Sequence, residues 1–133
     1  MNNERIFGSA EFVPFREDDR LVSFIGSVWI YRDAQRVTLQ VRPHEQAANP
    51  MGILHGGALA TLFDVAMYEM ATSNGKVVTV AQEVKFLRTI TVAEPLYIET
   101  EPLKSGRTTV FCAARAWQMD KLCGYAAAQF ARV

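Results

Sequence analysis

The middle of the chain reads NPMGILHGGALATLFD from Asn49 to Asp64. Its second half continues into an apolar run with almost no polar face, which predicts an α-helix enclosed by the rest of the protein. Asp64 is out of place in such a helix, because removing an ionised carboxylate from water has a large energetic cost. We therefore take Asp64 as a candidate functional residue.

Directly before the helix stands His55-Gly56-Gly57. The first turn of a helix exposes backbone N–H groups that can hold developing negative charge. Together with the carboxylate of Asp64, these amides indicate acyl-transfer chemistry. The helix is predicted from about Gly57 to Asn74-Gly75, where the glycine is a good stop signal, and residues 43–54 are predicted to be a loop.

The segments on both sides of the helix have the patterns of β-strands. Two strands are expected before it, at 24–31 and 36–42, joined by a tight turn at Asp33-Ala34. Four are expected after it, at 77–89, 96–103, 108–119 and 122–132, with short turns at Ser105-Gly106 and Asp120-Lys121. Residues up to about 20 are expected to be irregular. The predicted order is ββαββββ, with antiparallel pairing.

Alternation in the first strand after the helix assigns its side chains to two faces. Val78, Val80, Val84 and Phe86 share one face, and Thr79, Glu83 and Lys85 share the other. The second set points away from the core of its own subunit, so this face is expected to meet another subunit.

The last predicted hairpin carries both cysteines. If Met119 faces Leu122 across the turn Asp120-Lys121, then Cys112 and Cys123 are not cross-strand partners. Reduced core thiols are therefore expected. Alanines at 113, 114, 116, 126, 127 and 128 predict a shallow sheet surface that the helix can approach closely.

Length and composition limit the class of protein. The chain has 133 residues, with 14 Lys and Arg against 14 Asp and Glu. A zero net charge gives no field that favours nucleic acid or an anionic membrane surface. The length predicts a single domain over residues 1–133. With 50% hydrophobic residues and no net charge, part of the apolar surface is expected to be buried in a homo-oligomer.

The sequence shows no sign of a membrane segment or a bound cofactor. No apolar leader follows Met1, and no run reaches the roughly 18 apolar residues that a membrane helix needs, so a cytoplasmic protein is expected. Two histidines and two separated cysteines form no metal-ligand spacing, and there is no glycine-rich phosphate loop. We expect neither a metal nor a cofactor.

The pattern N-x-x-G-x-x-H-G-G-x-x-x-x-x-x-D, from Asn49 to Asp64, resembles that of hotdog-fold thioesterases of the phenylacetate-degradation type. These proteins belong to the 4-hydroxybenzoyl-CoA thioesterase superfamily. The resemblance extends to Lys85-Phe86-Leu87-Arg88 and to the Gly106-Arg107 turn. It implies an α+β hotdog fold, in which an antiparallel sheet of five to six strands wraps around one long central helix. It also implies dimers, or dimers of dimers forming a homotetramer, with active sites between subunits.

Hydrolysis of a thioester requires polarisation of the acyl carbonyl and an activated water or carboxylate nucleophile. The resemblance implies that a backbone N–H of Gly56 or Gly57 holds the carbonyl oxygen. It implies that Asp64, from the other subunit, acts as base or nucleophile. The alternative is a purely structural hydrogen bond that Asp64 accepts from a backbone donor, although the residue lies too far inside the helix to be a cap.

Three further positions take roles from the same resemblance. Asn49 assists carbonyl or water positioning, His55 lies near the sulfur or orients the loop, and Thr79 helps to hold the water. Each also has a structural alternative, because Asn before Pro commonly forms turns, a loop histidine is often simply satisfied, and Thr is ordinary in a strand. Glu69 is rotated by roughly 140° from Asp64 around the helix, so it is not a paired acid.

The predicted substrate is an acyl-CoA, with no cofactor. Side chains proposed to close the acyl pocket or meet the CoA are Phe63, Met67, Tyr68, Phe86 and Arg88. We expect an acyl-CoA thioesterase that hydrolyses a small aromatic or short-to-medium-chain acyl-CoA to free acid and CoA. The alternatives are a non-catalytic acyl-CoA binding module and a hotdog acyl-thioester hydratase or dehydratase.

One segment departs from the family pattern. Where such chains commonly continue from the Phe-Leu-Arg strand through a proline and then a glycine, this one continues Thr89-Ile90-Thr91-Val92-Ala93-Glu94-Pro95. The turn geometry after Arg88 therefore does not follow from the resemblance.

Overall fold

The computed structural model describes residues 11–34 and 36–133, so the N-terminal ten residues of the predicted irregular segment lie outside it. Within these described residues, seven strands form one antiparallel sheet in the order β1-β2-β3-β5-β6-β7-β4. Their bounds are β1 Val13–Pro14, β2 Gly26–Asp33, β3 Arg36–Pro43, β4 Val77–Phe86, β5 Leu96–Ser105, β6 Thr109–Gln118 and β7 Lys121–Arg132. The helices are α1 Arg20–Ile25 and α2 Gly56–Ala71. The hotdog fold is confirmed, although the prediction of five to six strands was too low.

The central helix ends close to where the sequence predicts. After Ala71 a 3₁₀ turn, Thr72–Asn74, continues to Gly75, whose φ of 128° is readily adopted only by glycine. The sheet curves around α2, and the core lies between them. Leu62, Phe63, Ala66 and Met67 of the helix are completely buried there.

Four of the six predicted alanines, at 114, 116, 126 and 128, form a shallow surface under the helix, whereas Ala113 and Ala127 pair with each other on the opposite face of the sheet. Ala114, Ala116 and Ala126 have no exposed surface and belong to the core on the inner face of the sheet. Gly124 continues this surface on β7, where an added Cβ would lie 3.2 Å from side-chain atoms of Leu59 and Phe63. The approach of α2 therefore depends on the smallness of this part of the sheet.

The first predicted strand begins too early. Residues 20–25 form helix α1, whose N-terminus is capped by Asp19 through a 3.1 Å bond from the Val22 N–H to Oδ1. A side-chain cap of this kind stabilises a short helix that the β-rich composition of 24–31 does not reveal. Strand β2 begins only at Gly26, where a Cβ would lie 2.6 Å from the carbonyl oxygen of Arg42 on β3.

The last hairpin turns one residue earlier than predicted. Gln118 pairs with Lys121, and the turn residues are Met119 and Asp120, both with positive φ. Leu122 therefore faces Trp117 rather than Met119, and Cys112 faces Ala128. Positive φ at both turn positions gives the twist that a two-residue hairpin needs, which the residue types did not indicate. Both cysteines are buried and free, as predicted.

Strand β4 differs from the predicted alternation because of a bulge between Thr79 and Ala81. Thr79 lies beside Phe130 and Gln82 beside Ala128, both on the inner face of β7. The assignment of Thr79 to the face of Glu83 and Lys85 was therefore wrong, and Thr79 points toward α2. Val78, beside Ala131, points away from α2, so its assignment to the face of Val84 and Phe86 was wrong too. Within residues 11–34 and 36–133, neither α-helix has the length and apolar character needed to cross a membrane.

Candidate functional site

Asp64 lies two turns into α2, on the side of the helix that faces β4. Its carboxylate is partly exposed, and Oδ1 accepts a 2.8 Å hydrogen bond from the hydroxyl of Thr79. The helix is thus not enclosed on every side, because the strand that covers this face is at the edge of the sheet. The structure brings Asp64 and Thr79 together, as the predicted roles require.

The two glycines at the start of α2 differ in whether their backbone N–H group is hydrogen-bonded. His55 is the N-cap residue, and its Nδ1 accepts a hydrogen bond of 3.2 Å from the Gly57 N–H. Nδ1 must then carry the lone pair, so that in the neutral ring the proton is on Nε2. The Gly56 N–H donates to no acceptor in the described part of the chain. Of the two predicted donors, Gly56 is therefore the available one.

Asn49 shapes the loop before the helix. Its Oδ1 accepts bonds from the backbone N–H of Met51 at 2.9 Å and of Ile53 at 3.4 Å. This is the structural role that an Asn-Pro turn predicts. The side-chain amide nitrogen of Asn49 has no acceptor among the described residues, so it remains free to donate.

A cleft of about 330 Å³ lies between this loop, the head of α2 and the end of β4. Its lining residues are Asn49, Ile53, Leu54, Gly56, Leu59, Phe86, Leu87, Arg88, Thr89 and Ile90. The Phe86 ring lies against Gly56, where a Cβ would be 3.4 Å from two ring carbons. Four predicted site residues therefore meet here: Asn49, Gly56, Phe86 and Arg88.

The other predicted residues do not reach this cleft. Phe63 and Met67 are completely buried in the core, and Tyr68 packs near Phe130, with ring centroids 6.3 Å apart. The guanidinium of Arg16 lies 5.7 Å from the Tyr68 ring. None of these three helix residues lines the cleft.

His55 and Gly57 line a separate groove of about 230 Å³ on the side of α1, together with Leu21 and Phe24. This places the imidazole on the other side of the helix head from the Gly56 cleft. Glu69 forms ion pairs with Arg16 and Arg32, so it is not a partner of Asp64.

Asp64 and Gly56 are far apart within one chain. They are eight residues apart on α2, which corresponds to about 12 Å along the helix axis at ~1.5 Å per residue. Asp64 is not among the residues that line the cleft. One chain alone therefore does not bring the carboxylate to the free amide.

Strand β4, which covers the Asp64 side of α2, is the last strand of the sheet and has an open edge. β4 pairs with β7, and its other edge has no strand partner among the described residues. Val78 and Val80 near the start of this strand and Phe86 at its end are 49–59% exposed. An unpaired apolar edge is a template for pairing with another chain.

Gln82 is a polar residue at this site that the sequence did not single out. Its Nε2 donates a 3.1 Å bond to the carbonyl of Ala60, midway between Gly56 and Asp64 on α2. Its Oε1 is buried and has no partner among the described residues. Gln82 shares its face with Val84 and Phe86, so alternation along β4 already directs it toward the helix.

Cys112 lies beneath Asp64 but is not a candidate nucleophile. Burial, and to a lesser degree the nearby Asp64 carboxylate, raise the pKa of its thiol to about 12. The thiol points at the carbonyl oxygen of Met67, 3.9 Å away. A thiol in this environment stays protonated and inert.

Comparison with known proteins gives consistent results. Residues 51–128 match the family model of the thioesterase superfamily. A Pseudomonas aeruginosa protein provisionally named an esterase is 32% identical over 124 residues, covering 90% of this chain and 92% of that protein. Mouse acyl-coenzyme A thioesterase 13 is 30% identical over 82 residues, 59% of each chain.

Among solved structures, the fold is similar to that of the Escherichia coli PaaI protein from the phenylacetic acid degradation operon. The TM-score is 0.81 at 22% identity, and the match covers 88% of this chain and 86% of that one. At this identity the likeness shows the shared fold.

Proposed function

We propose that this chain, which belongs to the thioesterase superfamily, hydrolyses acyl-CoA thioesters to free acid and CoA at a site shared by two subunits. The observation that carries the proposal is the Gly56 N–H at the head of α2, which lines the cleft and has no acceptor in the described part of the chain. The similarity to a mouse acyl-coenzyme A thioesterase supports CoA thioesters as the substrate class.

The Gly56 amide would hold the carbonyl oxygen of the thioester. As the bond to carbon forms, negative charge develops on that oxygen, and a fixed N–H at a helix N-terminus stabilises it. One such donor is worth about 3 kcal/mol in comparable sites. The free amide nitrogen of Asn49, in the same cleft, would add a second donor to the carbonyl or to the attacking water.

The carboxylate would come from a second copy of the chain. A two-fold axis that brings Asp64 of one subunit to Gly56 of the other also brings the reverse pair together, giving two identical sites per dimer. The open apolar edge of β4, next to Asp64 and Thr79, is the surface on which such a copy would pair. A dimer, alone or as half of a homotetramer, is therefore the proposed active unit.

Asp64 has two chemically balanced roles in this site. As a base it takes a proton from water, whose oxygen attacks the carbonyl carbon, and collapse of the tetrahedral intermediate releases the CoA thiolate. As a nucleophile its own oxygen attacks, the thiolate leaves, and water then hydrolyses the mixed anhydride. The Thr79 hydroxyl orients the carboxylate in either case, and Arg88 at the cleft would meet the CoA moiety.

The cleft volume of about 330 Å³ suits a small aromatic or a short-to-medium acyl thioester. Phe86, whose ring lies against Gly56, and Leu59 are apolar lining side chains that would contact it. Since CoA thioesters are intracellular metabolites, this activity would place the protein in the cytoplasm.

Release of free thiol from a panel of acyl-CoAs tests the proposal. Asp64→Asn should lower turnover at least ~100-fold, about 2.7 kcal/mol, with the fold retained. The matched control is Asp33→Asn at the exposed end of β2, which should keep wild-type turnover. Unchanged turnover in Asp64→Asn would exclude this mechanism. A wild type that binds acyl-CoA without releasing thiol would be a binding module, and one that adds water to an unsaturated acyl chain would be a hydratase.

A further inference from the structure

The two walls of the Gly56 cleft are joined by backbone contacts. The Leu54 N–H donates a 2.7 Å hydrogen bond to the carbonyl of Ile90, and Ile53 forms an isolated bridge with Thr91. Leu54 is two residues before Gly56, so a shift of the segment at 90–91 is transmitted to the head of α2. The position of the free amide therefore depends on how that segment is held.

The connection between β4 and β5, residues 87–95, has little regular structure of its own. It contains no proline before Pro95, so no ring restricts its backbone near Ile90. The Leu87 and Arg88 N–H groups both donate to the Cys123 carbonyl at 2.9 and 3.0 Å, which fixes its start. Another interaction must fix the part that touches Leu54.

That interaction is the side chain of Gln118, which is 3% exposed at the end of β6. Its Oε1 accepts a 3.0 Å bond from the Thr91 N–H. Its Nε2 donates to the carbonyls of Thr91 at 2.9 Å and Glu94 at 3.1 Å. Both N–H groups and the oxygen of the Gln118 amide thus hydrogen-bond to the backbone of residues 91–94. The side chain is buried, and hydrogen bonds are strong in such an environment.

We propose that Gln118 is a positioning residue for thioester hydrolysis, which sets the Gly56 amide through the chain Thr91–Ile90–Leu54. This inference rests on the proposed function. A displacement of about 1 Å in a transition-state donor can cost on the order of 100-fold in rate. Gln118 itself touches no substrate. Its loss should lower kcat more than it raises KM, because the oxyanion contact is made mainly in the transition state.

Gln118→Met keeps the length of the side chain but removes its hydrogen bonds. We expect kcat/KM to fall at least tenfold, mostly in kcat, in a dimer that remains folded. Gln129→Met is the matched control, since Gln129 lies on β7 on the face away from the helix and should leave kcat/KM unchanged. A folded Gln118→Met dimer with wild-type kcat/KM would overturn the proposal.

Gln118→Glu provides a readout that a merely structural role would not move. An ionised carboxylate would face two carbonyl oxygens, whereas the protonated acid can donate to one of them. Carboxyl groups become protonated as the pH falls. The ratio of kcat/KM of Gln118→Glu to kcat/KM of the wild type should therefore rise between about pH 8 and about pH 5. Gln129→Glu should show a constant ratio. A constant ratio for Gln118→Glu contradicts the proposal even if Gln118→Met fails to fold.

Amide hydrogen exchange separates this proposal from the function on which it rests. The Leu54 N–H should exchange faster in Gln118→Met than in wild type or Gln129→Met, because its acceptor at Ile90 is released. Unchanged exchange at Leu54 would contradict the role of Gln118 alone. A wild type that hydrolyses no acyl-CoA would instead contradict the proposed function.

Discussion

The hydroxyl of Thr79 donates a hydrogen bond of 2.8 Å to Oδ1 of Asp64, joining the edge strand β4 to the central helix. It reaches the carboxylate because the bulge between Thr79 and Ala81 reverses the alternation of the strand. Without that extra residue, Thr79 would share the outward face of Glu83 and Lys85. The bulge is therefore the feature that gives Asp64 its hydrogen-bond donor.

Thr79→Val, which removes the hydroxyl but preserves the shape, should lower kcat about tenfold. This is the scale of one hydrogen bond to a charged group, ~1.5 kcal/mol. Thr79→Ser keeps a hydroxyl on the same atom and should retain most of the activity. Thiol release at saturating acyl-CoA measures both. Equal turnover of the Val and Ser variants would show that this bond does not serve the reaction.

Two inactive variants should restore activity when their subunits are mixed. Asp64→Asn removes the carboxylate, and Gly56→Ala places a methyl group over the free amide without a clash, its Cβ being 3.4 Å from the Phe86 ring. In a heterodimer, one shared site carries both substitutions and the other carries neither. Unfolding and refolding an equal mixture should recover about a quarter of wild-type activity, since half of the dimers are mixed and each has one intact site.

The mixing experiment distinguishes a shared site from a site within one chain. If Asp64 acted on the cleft of its own subunit, every site in the mixture would keep one defect. Activity would then equal the mean of the two variants measured separately. Each variant refolded alone is the control for losses during refolding.

His55 serves in this structure as the cap of α2, and substitutions can separate that role from chemistry. Asn is among the best N-cap residues, so His55→Asn should keep both the stability and most of kcat/KM. His55→Ala should destabilise the fold by about 1 kcal/mol through loss of the bond to the Gly57 N–H. Urea unfolding and thiol release measure the two effects. A large activity loss in a stable His55→Asn protein would instead assign the imidazole a contact with the thioester.

Much of the site could be predicted because its elements follow one another along the chain. The loop at Asn49, the cap at His55, the free amide at Gly56 and the acid at Asp64 all belong to a single segment of sixteen residues. Helical geometry alone sets Asp64 two turns beyond Gly56. The predicted apolar helix follows equally directly from side-chain periodicity, and the alanine surface beneath it is correct at the alternate positions that face the helix but wrong at Ala113 and Ala127.

The errors arose where one residue changes the register of a strand. A bulge at Val80 and a turn placed at Met119-Asp120 each shift side chains relative to simple alternation. The bulge is fixed by pairing with β7, which is distant in sequence, and the turn depends on positive φ at two residues whose types do not demand it, so local pattern reveals neither. The prediction that Phe63 and Met67 close the acyl pocket failed for a different reason. A helix surrounded by a curved sheet buries most of its circumference in the core of its own chain.

Both cysteines should be unreactive in the folded protein. Burial raises the pKa of the Cys112 thiol to about 12, and burial also raises the pKa of the Cys123 thiol. The reactive thiolate is therefore scarce at pH 8, and neither sulfur is accessible. An aromatic disulfide reagent should label neither thiol in native protein and both after denaturation. Rapid labelling of native protein would show that the sheet opens near Cys112 or Cys123 far more readily than this packing implies.

Gly124→Ala should destabilise the protein, although alanine is generally better than glycine inside a strand by about 0.5–1 kcal/mol. The added Cβ would lie 3.2 Å from Leu59 Cδ2 and from Phe63 Cζ, and Phe63 has no exposed surface into which it could move. Overpacking of a filled core costs about 1–3 kcal/mol, which outweighs the backbone gain. The midpoint of urea unfolding should therefore fall. In a Phe63→Leu background the same substitution should cost less, because the ring that it meets is gone, and a double-mutant cycle would show this as a coupling energy. Strictly additive effects would mean that β7 and α2 move apart freely and that the small residues do not set the approach of the helix.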